Sequence, residues 1–189
     1  MKKIALISLF MILMGATLMA DVKSDILGGW KSAAAEDFQN GSFGYRVFEI
    51  KKDSWTVQTT IYRDKNMKKP IFVFFADGPY SVGESYSKIE GANKAQFKFS
   101  HKYVTLLTNN FILKRMLGFK SLKKDVKTDI SQNGISFFKS VAAAPEEFDV
   151  VKIENKMLYL GARPKDNDLG SEEKRPTKLN FPLIRVENK

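Results

Sequence analysis

Cysteine is absent from the 189-residue chain, and histidine occurs once, at His101. The first absence excludes a disulfide framework, thiolate metal centres, a cysteine nucleophile and lipid attachment through an N-terminal cysteine. The second excludes any site that needs two imidazoles. A phosphate-cradling loop ending in Gly-Lys-Ser/Thr is missing, as is a Gly-rich strand-to-helix turn, so nucleotide-driven chemistry is not expected. Internal repeats and low-complexity runs are missing too. What is present is ordinary for a globular chain: 43% hydrophobic and 28% charged residues, enough for a core and too apolar for wholesale disorder. The length argues for one domain. Basic residues outnumber acidic ones, 31 to 21, for a net charge of +10 and a pI of about 9.6.

Lys2 and Lys3 precede an apolar stretch over 4–14, followed by Gly15, Ala16, Thr17 and Ala20 before the polar Asp21. The order of basic, apolar and small-residue regions is that of a secretory signal peptide. Cleavage is expected after Ala20, with Ala16 as the other small-residue position. An uncleaved anchor is the competing reading, because residues 4–20 approach the roughly 17–25 needed to span a bilayer. Residues 21–189 would then be the mature domain, periplasmic or secreted, with 29 basic residues against 21 acidic for a net charge of +8.

Turn signals recur at short intervals: Asn40-Gly41, Lys52-Asp53, Asp77-Gly78-Pro79, Glu90-Gly91, Asn133-Gly134 and Glu154-Asn155. Such spacing predicts antiparallel hairpins. Between them, residues 43–50, 55–62, 71–76, 95–99, 103–108, 148–153, 157–161 and 180–186 are rich in aromatic and β-branched side chains, the strand formers. Over 55–62, Trp55, Val57, Thr59 and Ile61 alternate with Thr56, Gln58, Thr60 and Tyr62, and Phe97 and Phe99 alternate with Gln96 and Lys98. One face is wet, the other dry. The run 71–75 is apolar on both faces and belongs where the sheet is covered on both sides. This many strands predicts an all-β chain, with one or two short helices, closed as an antiparallel up-and-down barrel or folded as a sandwich.

From 111 to 127 the pattern changes. Ile112, Leu113, Met116, Leu117 and Phe119 recur at helical spacing among Lys114, Arg115, Lys120, Lys123, Lys124 and Lys127, predicting an amphipathic helix over 110–118 that continues toward 127. Such a helix packs over one end of the sheet with a solvated basic face, or docks onto an anionic lipid surface. The charged, Pro- and Gly-containing stretch 163–178 is expected to be a long exposed connection.

Gly28-Gly29-Trp30 opens the mature chain, and Arg185 lies in its last strand within Phe181-Pro182-Leu183-Ile184-Arg185. A Gly-x-Trp element at the start of an antiparallel barrel resembles the lipocalin and wider calycin signature. The closing part of the chain, with Arg175-Pro176 before the final strand, is similar to smaller bacterial lipocalin-like domains. The resemblance implies that Trp30 plugs one end, that Gly28 lets the backbone approach closely, and that Arg185 packs across the indole, a cation–π contact of about 0.5–2 kcal/mol. It also implies an interior that takes one small ligand or is filled by side chains. Candidate lining residues are Trp55, Val57, Phe72, Phe74, Phe97, Phe99 and Tyr103, which equally suit a plain core.

These features lead to an exported binding protein that holds a small hydrophobic or amphipathic molecule, with a fatty-acid-like anion suited to the basic charge. The alternative is a non-catalytic interaction module with a solid interior, contacting a partner or an anionic membrane through the basic helix. Catalysis is not expected: His101 sits at a turn and neither Ser100 nor Ser87 has a nucleophile context. The pairs Glu146/Glu147 and Glu172/Glu173 are adjacent, expected in solvated loops, and poorly placed for acid/base work. No cofactor, metal or nucleic-acid partner is expected, the last because export and the lack of an aromatic-Gly-aromatic signature argue against it. The expected state is a monomer or weak dimer.

Overall fold

Residues 22–38 and 41–187 are described by the structure, a computed structural model. The expected leader and its expected cleavage position lie outside them. A helical turn at 22–25 leads into β1 (Gly28–Ser32) and a two-residue strand β2 (Glu36–Asp37). The alternating segments form β3 (Phe43–Ile50) and β4 (Trp55–Tyr62), paired along their whole length from Phe43–Tyr62 to Ile50–Trp55. β1 pairs antiparallel with β3, and β2 pairs with the far end of β3.

The apolar run becomes β5 (Pro70–Gly78), which lies between β4 and β8 (His101–Leu106). The tripeptide Asp77-Gly78-Pro79, expected as a hairpin turn, is instead a bend in one long strand. β6 (Tyr80–Ser85) follows directly and pairs with β7 (Asn93–Lys98). Lys98 N–H donates to Pro79 O at 2.9 Å and Ser100 N–H to Asp77 O at 2.7 Å, so hydrogen bonding carries across the bend. The ladders β5–β8 and β6–β7 are therefore two halves of one bent hairpin. The Tyr80–Ser85 strand escapes the sequence pattern because only Tyr80 and Val82 are large and apolar within it.

β9 (Lys127–Asp129) adds to β8, β10 (Glu146–Glu154) to β7, β11 (Met157–Leu160) to β10, and β12 (Leu183–Arg185) joins β11 to β1. The result is an antiparallel sheet in the order β6-β7-β10-β11-β12-β1-β3-β4-β5-β8-β9, open as a hydrogen-bonded path.

Beside a small cluster of Tyr86, Ala92 and Val150, the core falls into two larger connected parts. One gathers Ile26, Trp30, Phe48, Ile50, Trp55, Val57, Phe97, Leu158 and Leu183; the other gathers Ile71, Phe72, Val104, Leu106, Phe119, Leu122 and Ile130, and Phe74 packs against both. The helix α1 covers the second part but is shorter than expected, spanning only Phe111–Met116. Asn110 caps it, its side chain accepting from Leu113 N–H, and Gly118 at φ 71° turns the chain so that Phe119 enters the core. Ile112 and Met116, expected on the packed side, point outward; Leu113 and Leu117 face the core. Residues 163–178 are the largely exposed connection expected, but they are anchored to the sheet at a few points. Leu169 and Arg175 are buried, a 3-10 turn spans Glu172–Lys174, and Phe148 N–H donates to Leu169 O at 2.8 Å. No helix among the described residues is long and apolar enough to cross a membrane.

Candidate functional site

At the β1 end of the core, Trp30 is buried, with its indole Nε1–H donating to Ile26 O at 2.7 Å. Arg185 sits opposite Trp30 in the β1–β12 register, and its guanidinium lies 4.3 Å from the indole ring. The same guanidinium donates to Leu27 O and Asp25 O, each at 2.7 Å. One Arg side chain thus ties the lead-in turn, the first strand and the last strand together. Gly28, at φ 109°, has Arg185 Nη1 only 3.0 Å from where a Cβ would stand, so both its backbone angle and its neighbour favour glycine.

The aromatic candidates form one wall. Trp55 meets Phe97 and Phe99 edge-on, with centroids 5.1 and 5.5 Å away, and Val57 lies in the same core part. Further along, Phe72 contacts Phe119, and Phe74 stacks on Phe138 at 4.5 Å. Tyr103 does not belong with them. Strand β8 alternates, placing Lys102, Val104 and Leu106 on the core face and Tyr103 on the other, beside Phe75, with the Lys127 ammonium 4.0 Å from its ring. Its position in the alternation, read one residue out of phase, is what misleads.

Lys102 was not singled out by pattern, since a lone lysine in a strand reads as an outward residue. It is only 4% exposed. Its ammonium donates to Ala144 O at 2.9 Å, Lys139 O at 3.3 Å and Ser140 O at 3.4 Å, and stands 4.1 Å above the Phe99 ring. Burial pulls its pKa below the ordinary lysine value. These carbonyls belong to residues 130–145, an irregular segment that covers this end of the wall and supplies Phe138 to it. Glu147, opposite Phe97 in the β7–β10 register, holds Arg163 through two hydrogen bonds.

Asp149 is buried where the β10–β11 ladder ends, its Oδ1 accepting from Val150 N–H at 2.7 Å and Gly161 N–H at 2.8 Å. Burial pushes its pKa up to about 6 despite those two donors. A second buried carboxylate, Glu36, accepts from Ser32 Oγ at 2.7 Å and from Arg46 Nε at 2.9 and 3.0 Å. Tyr80, buried and stacked near Phe97, has a hydroxyl without a hydrogen-bond partner among the described residues, and burial raises its pKa.

The residues weighed for catalysis are scattered. His101 Nδ1 lies 2.9 Å from Asp77 Oδ1 at an exposed position. Glu146 and Glu147 are on a strand rather than in a loop, facing opposite sides, with Glu146 accepting from Gln96 at 2.7 Å. Glu172 is bound by Arg175 and Lys94; the Arg175 hydrogen bond is the largest cause of its pKa falling to about 2. A hollow of about 490 Å³ between Glu84, Tyr86, Lys88, Lys94 and Glu172 opens to solvent, with a second of about 310 Å³ beside it. Among the described residues no group of three or more acidic, His or Cys side chains is placed to hold a metal ion. A search against protein-family models finds no match to the chain.

Proposed function

We propose that this is an exported, non-catalytic binding protein of lipocalin or calycin type, whose sheet is rolled into a barrel and whose Lys102 end takes an anionic amphiphile such as a fatty acid. Two features support the rolled sheet. β12 pairs with β1, bringing the last strand beside the first, and β5–β6 and β7–β8 each continue through the bend, so β6 at one end of the open path and β8, next to the other end, belong to one hairpin. The Gly28, Trp30 and Arg185 arrangement supports the family resemblance, since the cation lies across the ring of a buried indole.

The observation that carries the ligand reading is the buried Lys102 ammonium, held by neutral carbonyls of an irregular segment at the end of an aromatic wall. A buried cation gains more from a carboxylate than from amide oxygens. Phe138, stacked on Phe74, occupies the place that an alkyl chain would take once residues 130–145 withdraw. Trp55, Val57 and Phe97 then act as packed core beneath the ligand.

Binding of an apolar fluorescent dye, followed by displacement with a long-chain fatty acid, tests this. The expected result is one dye per chain, displaced by the fatty acid, with tighter dye binding in Phe138→Ala and weaker fatty-acid displacement in Lys102→Met. A folded protein that takes up no dye even as Phe138→Ala would overturn the reading. The interaction-module alternative draws on a different surface, the outer face of α1.

A further inference from the structure

We propose that the outer face of α1, together with Phe137, docks the protein onto an anionic phospholipid bilayer. Three of the six α1 side chains are large, apolar and turned to solvent: Phe111 is 70% exposed, Ile112 68% and Met116 77%. Their exposure is not fraying. Leu113 and Leu117 seat the helix on the core part that contains Phe72, Leu106 and Phe119, and the Asn110 cap fixes its start. Phe137, also exposed, belongs to the same surface. Its ring lies 6.3 Å from Phe72, which also touches Phe119, and Ser136 abuts Gly118 just after the helix.

An apolar face this exposed marks a contact surface, and the charges around it select the partner. Residues 111–125 carry Lys114, Arg115, Lys120, Lys123 and Lys124 against the single acid Asp125, which Lys124 pairs at 3.3 Å. A second copy of the chain would set two such basic rims against each other. A bilayer with acidic headgroups instead accepts the apolar side chains at the headgroup–acyl boundary while the lysines remain at the phosphates. The inference does not depend on the interior holding a ligand, because it concerns the outer face alone.

Co-sedimentation of the full chain with vesicles of phosphatidylcholine, with and without phosphatidylglycerol, tests it. The expected result is pelleting with the anionic vesicles at low ionic strength and release by salt. The double variant Ile112→Gln/Met116→Gln should bind those vesicles at least about tenfold more weakly, because two buried apolar side chains are lost from the interface. Its thermal unfolding should match the parent, since both side chains are exposed and Gln is a good helix former. The proposal is overturned if the parent stays in the supernatant, if neutral vesicles bind it equally, if the double variant pellets like the parent, or if the face instead joins two copies, seen as a dimer by light scattering that the double variant abolishes.

Discussion

Trp30 concentrates several physical roles in one side chain. It is 1% exposed, gives its indole N–H to Ile26 O, and has Arg185 across its ring. Truncation leaves a large cavity, an orphaned carbonyl and a cation without its aromatic partner, so Trp30→Ala should destabilise the fold by about 3–5 kcal/mol in denaturant titration. A loss below about 1 kcal/mol would show that the indole is not a plug. Trp30 and Arg185 were legible in the sequence only through the resemblance, which pairs an early Gly-x-Trp with an arginine of the last strand. Lys102 was not legible. Its neighbours His101 and Tyr103 are outward residues that look apolar or aromatic, and only the register with β5 reveals which face carries the lysine.

At the scale of elements, the bend between β5 and β6 decides how the long hairpin folds over. A Cβ on Gly78 would stand 2.0 Å from Lys98 O and 3.0 Å from Ser100 N, both backbone atoms that cannot swing away. Gly78→Ala should therefore force the two strands apart and lower stability by at least about 2 kcal/mol, several degrees in Tm for a chain of this size. Gly83 on the same long strand, with its nearest neighbour 3.9 Å away, provides the control, and Gly83→Ala should unfold within about a degree of the parent. Equal behaviour of the two variants would refute the close approach at the bend. The sequence signalled a break at Gly78-Pro79 correctly, yet a hairpin and a bend use the same residues. Only the continuation of hydrogen bonds across Pro79 and Ser100 separates them. The helix was misjudged for a related reason: Ile112 and Met116 have the spacing of a packed face, and the seat taken by Leu113 and Leu117 left them outside.

For the molecule as a whole, buried ionisable groups make stability depend on pH. Asp149 titrates near 6 when folded and near 3.8 otherwise, so between those values the folded chain holds a proton that the unfolded chain has released. Its contribution is favourable at low pH and declines as pH rises through about 6, by an amount of order 3 kcal/mol. Glu172, Asp129 and Asp168 act in the opposite sense, because their lowered values favour the folded chain above the ordinary carboxylate range. Comparison with Asp149→Asn isolates the one term. The stability of the variant relative to the parent should improve steadily from pH 4 to about 7 and then level off. A difference that stays constant with pH would mean that Asp149 is charged in the folded state throughout.

By itself the sequence determined an antiparallel β-rich chain and a basic helix starting near 110, but not where that helix ends, since alternation and turn residues act locally, between neighbours a few positions apart. It also singled out Trp30 and Arg185, through the resemblance that the Gly-x-Trp element and the arginine of the last strand carry. The tertiary structure alone decided that Lys102 faces inward, that Tyr103 faces outward, that residues 130–145 cover one end of the aromatic wall, that Leu169 and Arg175 anchor the otherwise exposed connection 163–178, and that three apolar side chains of α1 are left in water. Each of these depends on register and on which element reaches a surface first, and such long-range pairings leave no periodic trace along the chain.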